Sequence, residues 1–285
     1  MVYRPGSQHG AVIGLAVLAT LSLTACGGAA AVSAGPLGIE SSPTATASAA
    51  APAQEVSQPL PPSVVGGQTG QVCHDLLAID SVPVPDTGPA GDPVANAAFG
   101  RAVHPLLVAA LDAAPAALAG GLNALLPIIE IAEQGGAIPV DDPAMLSAIA
   151  AYESWARDSC GFQQIDLMAM DYEFEGVPAV LAAGPTAVSL MNHSAKGEFH
   201  VAALGKLRPG QPVGPKELVD IPFGQLDEYL DMLPNSAAAS PGQSAGMLVD
   251  LTPGHYFLLC PSQSVDDDPT TGHLYKGMLA EFDVE

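Results

Sequence analysis

Hydrophobic positions recur every three to four residues between residues 71 and 162, which is the spacing of an amphipathic α-helix. The first apolar face comprises Val94, Ala97, Ala98, Val103, Leu106, Leu107 and Ala110, the second Leu118, Leu122, Leu125, Leu126 and Ile129, and the third Met145, Ile149, Tyr152 and Ala156. In the third helix Asp142 suits the N-cap, Pro143 the first turn and Gly161 the C-terminal cap. The pattern predicts a small bundle of three or four helices.

From residue 163 to the end the pattern changes to short alternating segments. Strand candidates at 187–192, 199–204, 246–251, 256–260 and 278–284 are separated by Gly, Pro, Asn and Asp residues. A helical insertion is expected within 215–233, although Pro222 interrupts any single long helix there. Several short strands of this kind predict a β-sandwich. The predicted fold class is therefore multidomain α + β, with a helical bundle at 71–162 followed by a sandwich at 163–285.

The N-terminus carries an export signal. Arg4 and His9 precede an apolar run at 11–23, which is short for a membrane span. The run ends in Leu-Thr-Ala-Cys-Gly at 23–27, which resembles the bacterial lipoprotein box. That resemblance implies a signal peptide at 1–25 and a lipid-anchored Cys26 on the outer face of the cytoplasmic membrane. The alternative is an ordinary signal with a chance cysteine at its end.

Residues 26–70 are rich in Ala, Ser, Pro, Thr and Gly and hold few large apolar residues. Such a segment cannot bury enough surface to fold, so we interpret it as a disordered tether. Each later apolar segment is interrupted by Pro, Gly or an acidic residue, which argues against a membrane-spanning helix.

The chain carries 30 acidic and only 8 basic residues, a formal net charge of −22. Nucleic acid is therefore excluded as a partner, because phosphate binding needs a basic surface. Electrostatic adhesion to anionic lipid is disfavoured for the same reason, so the membrane contact is assigned to Cys26. The acidic surface is compatible with a redox or other protein partner.

Two of the four cysteines bracket the helical region. Cys73 is expected just before the first helix and Cys160 at the end of the last. Because thiols oxidise outside the cytoplasm, we predict a Cys73–Cys160 disulfide. Pairings through Cys260 are the alternatives.

The last third of the chain contains a Leu-Met-Asn-His segment at 190–193, which leads through a turn to Phe-His-Val at 199–201. A Pro-Gly-His-Tyr segment at 253–256 leads to Cys260, and His273 is followed by Gly277 and Met278. Strand alternation places Cys260 on the same face as Tyr256 and Leu258. Two imidazoles, one thiolate and a thioether form a donor set that suits copper in both redox states.

These segments resemble the cupredoxin family over the last 100 to 120 residues. The resemblance implies a cupredoxin-like Greek-key β-sandwich that binds one type 1-like copper ion for electron transfer or copper handling. Carried over by position, the ligands are His200, Cys260, His273 and Met278. One departure is the loop of twelve residues between Cys260 and His273, which is longer than in the small blue copper proteins.

The alternative is a metal-free cupredoxin-like lipoprotein that acts as a partner-binding module. No Gly-rich phosphate loop, zincin motif or nucleophile elbow occurs in the sequence, so we do not expect an enzyme. His74, His104, His193 and His255 are interpreted as surface or cap residues. The acidic run at 266–268 is interpreted as a solvated loop rather than a cation site.

Overall fold

The structure is a computed structural model that describes residues 67–85, 91–140, 142–263 and 272–285. The described residues all belong to one compact unit. The predicted signal peptide, Cys26, nearly all of the predicted tether and the acidic run at 266–268 lie outside the described residues, so these interpretations remain predictions.

Four helices come first along the described chain: α1 (Gln68–Asp80), α2 (Pro93–Ala113), α3 (Ala116–Glu133) and α4 (Pro143–Ser159). The Asp142 side chain accepts hydrogen bonds from the backbone N–H groups of Ala144 and Met145, as an N-cap does. The prediction that Cys73 precedes the first helix was wrong, because α1 begins at Gln68 and contains Cys73.

Cys73 and Cys160 form the predicted disulfide, with a Cα–Cα distance of 5.5 Å. The bond joins α1 to the C-cap of α4 and closes a loop with a sequence separation of 87. Both cysteines are buried in the core of the bundle. The pairing leaves Cys260 as the free cysteine of the described residues.

By length and composition alone, α2 and α3 are each apolar enough to cross a membrane. The expectation that Pro, Gly and acidic residues disqualify every later segment was therefore too strict. Both helices also supply core residues of the bundle, among them Leu107 and Leu122. Core helices of soluble proteins pass the same test, so the finding is weak evidence for a membrane span.

Within the described residues, nine strands form two sheets that pack face to face. The strands are β1 (Gln163–Ala169), β2 (Phe174–Glu175), β3 (Val180–Leu181), β4 (Gly184–Asn192), β5 (His200–Leu207), β6 (Leu230–Ala239), β7 (Ser244–Leu251), β8 (Gly254–Leu259) and β9 (Leu279–Val284). The first sheet has the order β2-β1-β4-β7 and the second β3-β9-β8-β5-β6. Helices followed by a two-sheet β-sandwich confirm the predicted fold class.

The core strand β8 is buried on both faces. Tyr256, Leu258 and Cys260 face the interior between the sheets, as the alternation predicts. Phe257 and Leu259 pack on the opposite side in a second cluster. A strand covered on both sides holds its end in a fixed position, and Cys260 directly follows that end.

The segment 215–233 supplies residues of the second cluster. The segment forms the short helix α5 (Pro215–Leu218) and a 3₁₀ helix (Phe223–Glu228), with Pro222 as the N-cap of the latter. The prediction of a helical insertion was wrong for its last part, because residues from Leu230 onward belong to β6. Leu218 and Leu226 cover the outer side of β8.

The helical bundle packs against the first sheet. Ala187 of β4 and Leu248 of β7 belong to the bundle's own core cluster. The Asp80 carboxylate accepts hydrogen bonds from the Tyr152 hydroxyl and from the backbone N–H of Leu248, the latter at 2.8 Å. Helices and strands therefore share both apolar and polar contacts.

Candidate metal centre

Three metal-binding side chains meet inside the sandwich. The Sγ atom of Cys260 lies 3.5 Å from Nδ1 of His273 and 3.9 Å from Nδ1 of His200. The two Nδ1 atoms lie 3.1 Å from each other. All three residues are fully buried. Among the described residues they are the one group of three or more potential ligands that could hold a metal ion.

Sheet register brings these residues together. His200 opens β5 and Cys260 follows β8, and the two strands are paired with Ala203 opposite Leu259. The backbone N–H of Leu274 donates to the carbonyl of Cys260 at 2.9 Å, which holds His273 against the end of β8. His273 itself begins a 3₁₀ helix, His273–Lys276.

Met278, the fourth predicted ligand, is fully buried in the same core cluster as Cys260. Its backbone is tied to two of the other residues. The N–H of Met278 donates to the carbonyl of His273 at 2.9 Å, and the Met278 carbonyl accepts from Cys260 N–H at 3.1 Å. Gly277, with a φ of 101°, makes the turn that joins His273–Lys276 to β9.

The loop before His200 is held by Asn192, the last residue of β4. Its Nδ2 atom donates to the backbone carbonyls of Glu198 and Ala239, at 2.8 and 2.9 Å. Its Oδ1 atom accepts from Ser194 N–H at 2.9 Å. Asn192 is fully buried, so these bonds fix the start of β5 with little freedom.

The environment keeps His200 neutral. Burial is the main cause that lowers its pKa to about 4, and the neighbouring His273 lowers it further, while Glu198 and Asp171 act in the opposite direction. A neutral imidazole has a free lone pair and is therefore ready to bind a metal.

The Cys260 thiol is held in its protonated form by burial, which raises its pKa. Hydrogen bonds from Ser262 and from the backbone N–H of Val201 oppose that effect, the latter with a distance of 3.3 Å to Sγ. N–H groups that point at a thiolate sulfur stabilise its charge and tune the potential of a metal bound there. A buried thiol of this kind is a poor nucleophile without a metal.

Two further residues contact the site, and the sequence pattern did not single them out. The ring of Tyr172 packs edge-on against His273, with centroids 5.1 Å apart. The Glu198 carboxylate lies 3.7 Å from Nε2 of His273. Glu198 stands two positions before His200, but no periodicity or family motif marks it.

The donor set fits a single type 1-like copper ion. Two imidazoles, one thiolate and a weak thioether are the ligands of blue copper sites. His200, Cys260 and His273 supply the first three from a fully buried group, and Met278 is buried in the same core cluster as Cys260. The other described histidines lie elsewhere. His255 contacts the carboxylates of Glu281 and Asp283, His104 contacts Glu133, and His74 contacts Asp75. His193 is exposed.

No family model and no curated protein matches the sequence. Solved structures similar to the chain include auracyanin B, with 17% identity over 43% of this chain and 88% of that one, at a TM-score of 0.30. Auracyanin A, a "blue" copper protein of Chloroflexus aurantiacus, has 18% identity, covers 43% and 98%, and gives a TM-score of 0.29. An azurin of Methylomonas sp. strain J has 11% identity, covers 43% and 98%, and gives a TM-score of 0.26. The cupredoxin-like description therefore stands on the sheet order and the buried ligand group alone.

Proposed function

We propose that this protein binds one copper ion through His200, Cys260, His273 and Met278 and carries single electrons outside the cytoplasmic membrane. The observation that carries the proposal is the convergence of Cys260 Sγ and two imidazole Nδ1 atoms within 4.8 Å of one another in a fully buried position. A copper ion would supply a centre that gains and loses one electron. The chain supplies a rigid, dry enclosure that limits rearrangement between the two redox states.

The rigidity follows from named contacts. Asn192 fixes the approach to His200, β8 carries Cys260 from a strand buried on both faces, and backbone hydrogen bonds link Cys260, His273 and Met278. His200, Cys260 and Met278 sit on or next to sheet strands. His273 is held against the end of β8 by the hydrogen bond from Leu274 N–H to the Cys260 carbonyl, so loss of an electron would not require these residues to move. A carrier, not an enzyme, is the role that such an enclosed site supports.

The location is part of the proposal. A lipid on Cys26 would hold the protein at the outer face of the membrane, and residues 26–70 would act as the tether. The disulfide supports an oxidising compartment, because such bonds form and persist outside the cytoplasm. Metabolic labelling with a radioactive fatty acid tests the anchor: label is expected in the wild type and absent in Cys26→Ser. Equal label in both would contradict it.

Electron transfer is tested by cycling the copper-loaded full-length protein in detergent. Ascorbate should bleach the thiolate-to-copper band and ferricyanide should restore it, with one electron per copper and no loss over repeated cycles. A band that does not return would exclude a carrier. The metal-free partner-binding module is the second candidate, and it would follow from a protein that takes up no stoichiometric copper.

A further inference from the structure

The imidazole of His273 is enclosed by a small polar network. Its side chain is fully buried, whereas that of Glu198 is 19% exposed. Glu198 Oε2 lies 3.7 Å from Nε2 of His273, and Tyr172 packs edge-on against the same ring. The carboxylate thus lies near Nε2 of the ring, whereas the Cys260 sulfur lies near Nδ1.

The backbone of Glu198 is fixed on both sides. Its carbonyl accepts from Asn192 Nδ2 at 2.8 Å, and its N–H donates to Ser194 Oγ at 3.1 Å. Ser194 in turn donates its own N–H to Asn192. The turn that leads into His200 therefore also sets the position of the carboxylate at His273.

The other end of the network is cationic. The Tyr172 hydroxyl donates to Glu198 Oε1 at 3.4 Å, and Lys276 Nζ donates to that hydroxyl at 3.3 Å. Lys196 and Lys276 lie 4.3 and 4.6 Å from the centre of the Tyr172 ring. Two of the chain's 8 basic residues thus converge on the tyrosine that covers His273.

We propose that Glu198 is a positioning residue for His273: its carboxylate, 3.7 Å from Nε2, attracts the ring proton to that nitrogen, so that Nδ1 presents its lone pair toward Cys260 and His200. This inference rests on the proposed copper function. The same arrangement sets the tautomer of the metal-free protein. In that tautomer Nδ1 of His273 can accept a hydrogen bond from Nδ1 of His200, 3.1 Å away.

A carboxylate on the distal nitrogen of a ligand histidine fixes the ring orientation and raises the basicity of the nitrogen that binds the metal. Loss of such a partner typically weakens metal binding about 10- to 100-fold. Such a carboxylate lies next to His273 and not next to His200, because Glu198 faces Nε2 of His273 only. Tyr172 holds the carboxylate in place through its hydroxyl.

The test compares Glu198→Ala and Glu198→Gln in the full-length protein in detergent. Glu173→Gln is the control, because it makes the same charge change as Glu198→Gln at an exposed residue next to Tyr172. Copper dissociation constants are measured by competition with a chelator, and far-UV circular dichroism verifies that each variant is folded. Glu198→Ala is expected to weaken copper binding 10- to 100-fold. Glu198→Gln, whose amide oxygen keeps a partial negative charge, should lie between it and the wild type, and the control should stay within about twofold.

A second readout needs no copper. The ¹⁵N shifts of the His273 ring should show protonated Nε2 in the metal-free wild type and loss of that preference in Glu198→Ala. Unchanged affinity in both Glu198 variants, together with an unchanged tautomer, would overturn the positioning role while leaving the copper proposal intact. A wild type that binds no copper would instead overturn the proposed function. If Glu198→Ala failed to fold, Glu198→Gln would decide the question by the same measurements.

Discussion

His200 and His273 place their Nδ1 atoms 3.1 Å apart, although 73 positions separate the two residues in the sequence. The contact depends on β5, β8 and the 3₁₀ helix that precedes β9, and no local interaction could produce it. Cys260, which directly follows β8, completes the group. Several measurable consequences follow from the way in which the fold holds these residues.

Asn192 is expected to be a stability determinant of the site. Asn192→Ala removes two donated hydrogen bonds and one accepted bond, and it leaves the carbonyls of Glu198 and Ala239 without these donors. We expect the free energy of unfolding to fall by about 2–4 kcal/mol. Asn123→Ala is the control, because its amide bonds to a carbonyl at an exposed helix position. Urea unfolding measures both, and equal effects would contradict the assignment.

The disulfide should contribute most of its stabilisation by restricting the unfolded chain. For a sequence separation of 87, the chain-entropy model gives about 4–5 kcal/mol. The double variant Cys73→Ser/Cys160→Ser should lose roughly that amount in chemical denaturation. Reduction of the wild type should give the same loss, whereas the reductant should leave the double variant unchanged. If the free energy of unfolding fell by less than about 1 kcal/mol, restriction of the unfolded chain would not be the main effect of the disulfide.

Asp80 should make stability depend on pH. Burial raises its pKa from 3.8 to about 6, despite hydrogen bonds from Tyr152 and Leu248 that lower it. Because the folded state favours the protonated carboxyl, this residue's contribution is complete below pH 4 and is lost as the pH rises to about 6. Relative to Asp80→Asn, the wild type should lose up to roughly 3 kcal/mol across that window. A stability difference that stays constant between pH 4 and 7 would refute the prediction.

Met278 should tune the potential and not determine whether copper binds. Met278→Leu nearly conserves volume, so folding and copper uptake should persist. The reduction potential should rise, because the more highly charged Cu(II) loses more from the removal of a fourth donor than Cu(I) does. Met247→Leu makes the same change in the same core on β7 and should leave the potential as it is. Voltammetry of both variants separates the two roles, and equal shifts would argue against Met278 as a ligand.

The sequence predicted those features that depend on local pattern. Asp142 and Pro143 marked the start of α4, and alternation placed Tyr256, Leu258 and Cys260 on one face. It did not mark the short strand β2 or the edge strand β3, because two residues are too few to show a period. Leu230 was assigned to a helix because Leu226, Leu230 and Leu233 recur at helical spacing.

Of the site, the resemblance to the cupredoxin motifs implied His200, Cys260, His273 and Met278 as ligands, and the described structure brings the first three together. Glu198 and Tyr172 could not be found in this way. Glu198 is an acidic residue in a turn, and Tyr172 lies 101 positions before His273, whose ring it contacts. Their roles depend on distances that only the folded sandwich defines.

Copper titration of the wild type and of Cys260→Ser tests the central claim most directly. The wild type should bind one equivalent and develop an intense visible thiolate-to-copper band, because the Cys260 sulfur lies next to both imidazoles. Cys260→Ser should remain folded and lack the band at every copper concentration. A wild type that binds copper weakly, without fixed stoichiometry and without the band, would contradict the account.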